Sequence, residues 1–263
     1  MLTVREAALG RGPKLKTMPS TPGLPTTLVD LSVPLFSGMP VYPGDPKVCL
    51  TTALRATEDG VNVLRLHLGS QSGTHVDAPY HVDDVWPTLE GLPLDRFTGP
   101  AVVADVRGLE PRAAISTDHL AAALPRLRAG VVLVLATGWS AHWETDHYLA
   151  HPWLTPQAAQ AVVDAGVRTL AVDALSVDPT PDPDDHHADL SLAAHRILCG
   201  AGAVIAENLT NLGPLLDAQA AGQPIEVSLF PLRLTAADGA PVRAVARLGG
   251  TSHTSRTGRT SAR

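Results

Sequence analysis

Aromatic side chains are scarce in this 263-residue chain, at 4% for Phe, Trp and Tyr together, so its core has to be assembled from Val, Leu and Ala. Cysteine is scarcer still. Cys49 and Cys199 are far apart with no C-x-x-C spacing, which excludes a disulfide framework and a cysteine-rich zinc module and fits a reducing, cytoplasmic setting. Positive charge is in short supply, with 20 Lys and Arg against 26 Asp and Glu and a net charge of −6, which argues against a nucleic-acid partner. No run of 18 uncharged apolar residues is present, so no helical bilayer span is expected. The N-terminal stretch carries Arg5, Arg11, Lys14 and Lys16 but lacks the apolar segment of a secretory leader.

What the chain has is 44% hydrophobic residues, punctuated by 22 glycines and 23 prolines. That composition supports one folded domain with many tight turns. Residues 1–25 lack periodicity and are expected to form a flexible arm, within which Met18 offers a second candidate start. Residues 249–263 are almost wholly Gly, Ser, Thr and Arg and are expected to be a disordered tail, leaving 26–248 as the domain.

Strands are expected at Thr27 to Leu31, Val48 to Leu54 and Val61 to Leu68, where Leu64, Leu66 and Leu68 alternate with Arg65 and His67. Buried strands follow at Ala101 to Val106, Val131 to Ala136, Thr169 to Val172 and Ala203 to Ala206, separated by helical stretches. Thr155 as N-cap, Pro156 at the first helical position and Gly166 beyond the end delimit one helix. A second is expected from Ser191 to Cys199, and two late strands at Ile225 to Leu234 and Val242 to Leu248. The fold class is a single mixed α/β domain with a β-rich rim, neither a TIM barrel nor a doubly wound sheet with a Gly-rich nucleotide loop.

Chemistry concentrates after Leu68. In Gln71-Ser72-Gly73-Thr74-His75-Val76-Asp77-Ala78-Pro79-Tyr80-His81, residues two apart on an extended segment share a face, so His75 and Asp77 converge. An imidazole beside a carboxylate suits a borderline divalent ion, but two ligands do not make a site. Downstream, His195 shares a helical face with Leu192 and Cys199 and points toward the core, and Glu207 closes an apolar strand, where a carboxylate needs a partner. Taken alone, His195 reads as a satisfied core histidine, which its apolar helix face suits, and with Glu207 as a ligand or a supporting group. His81 reads either as structural or, because an imidazole titrates near neutrality, as a general acid/base.

The segment resembles the metal-dependent cyclase family, which includes bacterial kynurenine formamidase and isatin hydrolase. Its signature H-x-G-T-H-x-D-x-P-x-H is matched at Gly73, Thr74, His75, Asp77, Pro79 and His81, with Gln71 in place of the first His. The resemblance extends to Asp30-Leu31-Ser32, to Gly38 through Pro46, to Val172 through Asp178, and to His195 with Glu207. It implies a swivelling β/β/α-type architecture and one or two Zn or Mn ions held by His75, Asp77, Glu207, His195 and Gln71. It further implies His81 as acid/base, and a homodimer or homotetramer. A Gln oxygen at position 71 favours Mn or Mg over Zn; the side chain reads equally as a bridge between backbone groups. The implied activity is hydrolysis of an aryl formamide, as in the tryptophan-catabolic step from N-formylkynurenine to kynurenine and formate. The alternatives are opening of an isatin-type cyclic amide or lactone, a metal-stabilised binding protein without turnover, and cyclisation of a polyketide-like substrate.

Trp139, Tyr80 and Ser176 are the candidate substrate contacts. Trp139 belongs to an aromatic group with His142, Trp143, Tyr148 and Trp153 that reads as packing, pocket lining or subunit interface. Gly138-Trp139-Ser140 lacks the following Gly of a nucleophile elbow, which disfavours a serine hydrolase. The acidic run Asp182 to Asp189 reads as a solvated loop or, functionally, as a mobile edge of the substrate pocket.

Overall fold

The computed structural model describes residues 26–181 and 191–249. The expected N-terminal arm, almost all of the expected tail and the acidic run from Asp182 lie outside the described residues. In chain order the strands are β1 (Thr27–Asp30), β2 (Cys49–Leu54), β3 (Val63–His67), β4 (His75–Asp77), β5 (Thr98–Asp105), β6 (Ala114–Ile115) and β7 (Val132–Ala136). They continue as β8 (Trp153–Leu154), β9 (Thr169–Val172), β10 (Val204–Glu207), β11 (Ile225–Ser228), β12 (Gly239–Pro241) and β13 (Val245–Leu248). The helices are α1 (Ala56–Asp59), α2 (Pro156–Asp164), α3 (Ala193–Gly200) and α4 (Gly213–Ala220).

Nine strands form one mixed sheet in the order β1-β13-β11-β5-β7-β9-β10-β4-β12. Its centre, β5-β7-β9-β10, is parallel, and every flanking pair is antiparallel. The central strands are apolar on both faces because both faces are covered. On one side Leu133, Leu135, Leu170 and Ile205 pack with residues of α2 and α3; on the other Val132, Val134, Ala171 and Val204 pack with residues of α4 and the antiparallel flank. The sheet curls, so that Ser32 beyond β1 bridges Leu209 beyond β10.

The expected helix boundaries hold for α2, where Thr155 Oγ1 accepts from the Ala158 N–H, a cap worth about 1 kcal/mol. Helix α3 starts two residues later than expected, because Leu192 takes a left-handed conformation and Asp178, from another segment, caps the helix instead. The Ile225 strand stops at Ser228 and not Leu234. The alternation in β3 does not bury a face: Leu64 and Leu66 are 54% and 58% exposed, and the β2-β3 hairpin stands away from the main sheet. Both cysteines are free, and among the described residues no helix is long and apolar enough to cross a membrane.

Candidate metal centre and cavity

The candidate centre arises from strand register. In the antiparallel pairing of β4 with β10, His75 lies directly opposite Glu207 and Asp77 opposite Ile205. Cross-strand partners and residues two apart share a sheet face, so His75, Asp77 and Glu207 present side chains to one point. One donor atom from each of the three lies within 4.8 Å of the others, and all three residues are buried.

Helix α3 lays His195 over the same point. His75 Nε2 is 3.3 Å from Asp77 Oδ1 and 3.6 Å from Glu207 Oε2; His195 Nε2 is 3.5 Å from Asp77 Oδ2 and 3.5 Å from Glu207 Oε1. Each carboxylate thus offers one oxygen to each imidazole. The Nδ1 atoms face outward: His75 Nδ1–H donates to the Gly73 carbonyl at 2.8 Å, and His195 Nδ1–H to Asp178 Oδ2 at 2.7 Å. Those partners set the tautomers and leave both Nε2 atoms as inward ligands.

The polar bookkeeping fits a cation. Both oxygens of Asp77 are buried without a hydrogen bond of acceptable geometry, which no carboxylate tolerates unless a charge compensates it. In the metal-free protein protons do so. Burial alone would push His75 down, but the Asp77 and Glu207 carboxylates overcome it and hold the imidazole well above its usual range. His195 is likewise opposed by burial, yet Asp178, Asp77 and Glu207 carry it up to about 10. Burial pushes Asp77 up, and the neighbouring histidines more than reverse this, holding it far below the ordinary carboxylate range.

A buried frame supports these ligands. Asn208, at φ +58°, turns its amide back under β4, where Nδ2 donates to the Gly73 carbonyl at 3.0 Å and Oδ1 accepts from the Tyr148 hydroxyl at 2.8 Å. The Gly73 carbonyl thus receives Asn208 and His75 together. Gly73 itself is at φ +66°, where a side chain is strained, and Leu35 Cδ2 stands 2.5 Å from where a Cβ would be, so any other residue here would also have to displace Leu35. Thr74 Oγ1 donates to the Asn208 carbonyl and accepts from the Val33 N–H. Tyr148→Phe strands Asn208 Oδ1 and is expected to weaken metal affinity about 10-fold or more, measured by chelator competition. Lost stability with unchanged affinity would confine the network to folding.

A cavity of about 330 Å³ opens onto the centre, within the range for small-molecule sites. His75, His195 and Glu207 form its floor, while Gln71, His81 and Ser176 line its walls together with Tyr42 and Asp45 of the Gly38 to Pro46 stretch. Two expected substrate contacts are placed elsewhere. Trp139 is 5% exposed in the core, its indole N–H donating to the Tyr148 carbonyl, and Tyr80 on the short helical turn after β4 is not part of the lining. Trp139 packs because its ring completes the apolar layer over β7 and β9. Gln71 directs Nε2 to Asp238 Oδ2 at 2.8 Å and to His81 Nδ1 at 3.1 Å, leaving Oε1 buried without a partner.

Residue 29 to residue 179 match the model of the family described as "Putative cyclase", more than half of the chain. The chain belongs to the cyclase family. It is 35% identical over 224 residues to a kynurenine formamidase of Salinibacter ruber, covering 84% of this chain and 97% of that one. It is 34% identical to a kynurenine formamidase of Bacillus cereus, covering 83% and 96%. In solved structures the same fold occurs in an isatin hydrolase bound to the product analogue thioisatinate, with TM-score 0.74, 21% identity, and 85% of this chain and 93% of that one covered. Isatin hydrolase A from Ralstonia solanacearum gives TM-score 0.72 at 21% identity, covering 84% and 92%.

Asp178, Asn208 and Asp238 take roles here that the sequence pattern does not show. Asp178 carried the same signal as Glu207, a carboxylate closing an apolar run. Nothing local marks Asn208 or Asp238, whose partners lie 135 and 157 residues away.

Proposed function

We propose that this cyclase-family member is a metal-dependent amide hydrolase whose substrate is an aryl formamide of the N-formylkynurenine kind, converted to an arylamine and formate. The observation that carries the reading is the doubly orphaned, buried Asp77 carboxylate set between two inward imidazole nitrogens, His75 and His195, that themselves line a small-molecule cavity. His75, Asp77, Glu207 and His195 would hold a divalent ion, Zn or Mn by the mixed N and O donor set. Such an ion supplies Lewis acidity to the substrate carbonyl and renders water acidic enough to attack near neutral pH.

The chain's own residues do the rest. His81, on the cavity wall, takes a proton from water through its ring and returns it to the departing amine nitrogen, a function worth about 10² to 10⁴ in rate. Ser176 and Tyr42 flank the substrate, and the buried Leu175 gives its ring an apolar surface. The half-buried Gln71 stands at the edge of the centre with its unpartnered oxygen available as a neutral donor to the ion.

Homo-oligomerisation belongs to the same proposal. The β2-β3 hairpin exposes Leu54, Val63, Leu64 and Leu66 at 38% to 58%, an apolar surface that a second copy of the chain would cover. Two unpaired cysteines, one of them exposed, are consistent with a cytoplasmic protein. The test is elemental analysis of the purified protein beside an N-formylkynurenine hydrolysis assay, before and after chelation and metal restoration. Loss of turnover on chelation and return on metal addition is expected. Hydrolysis untouched by complete metal removal would overturn the mechanism, and turnover confined to cyclic amides would move the substrate to the isatin type.

A further inference from the structure

Asp238 immediately precedes β12, the edge strand that pairs with β4, and its side chain reaches the cavity wall from the side opposite β10. Its Oδ2 lies 2.8 Å from Gln71 Nε2 and 3.3 Å from His81 Nδ1, and Gln71 Nε2 lies 3.1 Å from the same His81 nitrogen. The three side chains form a closed triangle. Its approach is made possible by Gly239: a Cβ there would stand 2.5 Å from the Val76 carbonyl and 2.7 Å from Gln71 Nε2. The Asp238 carbonyl accepts from the Ala78 N–H at 2.7 Å, which ties the backbone that carries the carboxylate to the end of β4.

A carboxylate can only accept, so it decides what its two neighbours do. Gln71 must turn its amide nitrogen toward Asp238, which is why its oxygen is the orphaned end. His81 Nδ1 faces two competing partners: it donates to Asp238 when it carries the hydrogen, and accepts from Gln71 when it does not. Only the first arrangement leaves a lone pair on Nε2, the nitrogen on the opposite side of a ring that lines the cavity. We propose that Asp238 is the positioning residue for His81, holding the hydrogen on Nδ1 against the competing Gln71 amide so that Nε2 faces the substrate as the proton acceptor.

The proposal rests on the hydrolase reading in assigning His81 to proton transfer, and it goes beyond it in assigning Asp238. During the cycle Asp238 stays ionised. Nε2 gains a proton from the attacking water and loses it to the amine nitrogen as the C–N bond breaks, while Nδ1 keeps its hydrogen throughout. The logic is that of an acid orienting a histidine in a hydrolytic triad, where replacing the acid by its amide forces the wrong tautomer and lowers turnover about 10⁴-fold.

The experiment compares Asp238→Asn, Asp238→Glu and the parent protein, all metal-loaded, with N-formylkynurenine. Alongside it, the ¹⁵N imidazole resonances of His81 are recorded in the chelated, metal-free proteins. Asp238→Asn is expected to lower kcat about 10² to 10⁴-fold with KM changed less than about threefold, and to move the His81 hydrogen to Nε2. Asp238→Glu, which restores an acceptor, is expected to recover at least a tenth of the lost rate and the parent tautomer. A parent His81 already protonated on Nε2, or an Asp238→Asn protein with unchanged tautomer and kcat, overturns the proposal. The tautomer is read without turnover, so a protein inactive on every formamide would count against the hydrolase reading alone.

Discussion

Asp77→Asn is expected to strip the purified protein of its divalent ion and to lower formamide hydrolysis about 10³-fold or more. The estimate follows from Lewis-acid stabilisation worth several kcal/mol at about 1.4 kcal/mol per decade of rate. The substitution is isosteric. Neither Asp77 oxygen makes a hydrogen bond of acceptable geometry, so the change tests the charge and donor capacity of the carboxylate toward His75, His195 and an ion. Metal content by elemental analysis and kcat/KM are the two readouts. A variant that keeps stoichiometric metal and full rate would remove Asp77 from the centre, and with it the convergence of β4, β10 and α3 on a common ion.

The metal-free protein is expected to lose stability as pH rises, and the loaded protein is not. His195 stands at about 10 in the folded chain against an ordinary 6.5, and His75 is shifted in the same direction. The native state therefore holds more protons than the unfolded chain between these values. The stabilisation is fully present below about pH 6.5 and is lost as pH climbs toward 10. Asp77 is shifted downward, so its contribution is present above its ordinary 3.8 and disappears on further acidification. The empty centre is thus most stabilising between about pH 4 and 6.5. A bound ion replaces those protons as the charge compensating Asp77 and Glu207, and its affinity increases with pH as the imidazoles are freed.

Thermal unfolding of chelated protein should show a midpoint falling by roughly 5 to 10 °C between pH 6.5 and 9, while metal-loaded protein stays level or rises. Parallel pH profiles with and without metal would mean that His75 and His195 are not the groups an ion displaces. The same measurement on His195→Asn should flatten part of the chelated profile, the remainder originating at His75, whose imidazole is shifted in the same direction.

The centre shows how unevenly a site is written into its chain. Period-two spacing placed His75 and Asp77 on one face, and helical spacing turned His195 inward beside Cys199; both follow from backbone geometry within a single element. The same local rules marked the central strands, the capped start of α2 and Glu207 as a carboxylate in want of a partner.

Where those elements meet is another matter. That Glu207 stands opposite His75 is a property of the β4-β10 register, and that register depends on a sheet whose neighbours are far apart in the chain. Asp178 caps α3 and holds His195 from outside the helix, Asn208 reaches back under β4, and Asp238 arrives from the far edge, just before β12. None of these has a periodic signature, because a hydrogen bond across 17 to 157 residues leaves no spacing to read. Trp139 shows the converse: a large aromatic near a Gly turn looks like a substrate contact until packing buries it.

By itself, then, the sequence determined the mixed α/β class of the fold and the face of its own element on which His75, Asp77 and His195 each lie, since backbone periodicity settles both over a few residues, while the candidate ligand set is what the family resemblance implies. Tertiary structure alone decided which of those faces converge, which carboxylates orient the imidazoles and which aromatic is left out of the cavity. Those outcomes depend on sheet order and crossover packing, energies summed over contacts between segments that share no local pattern.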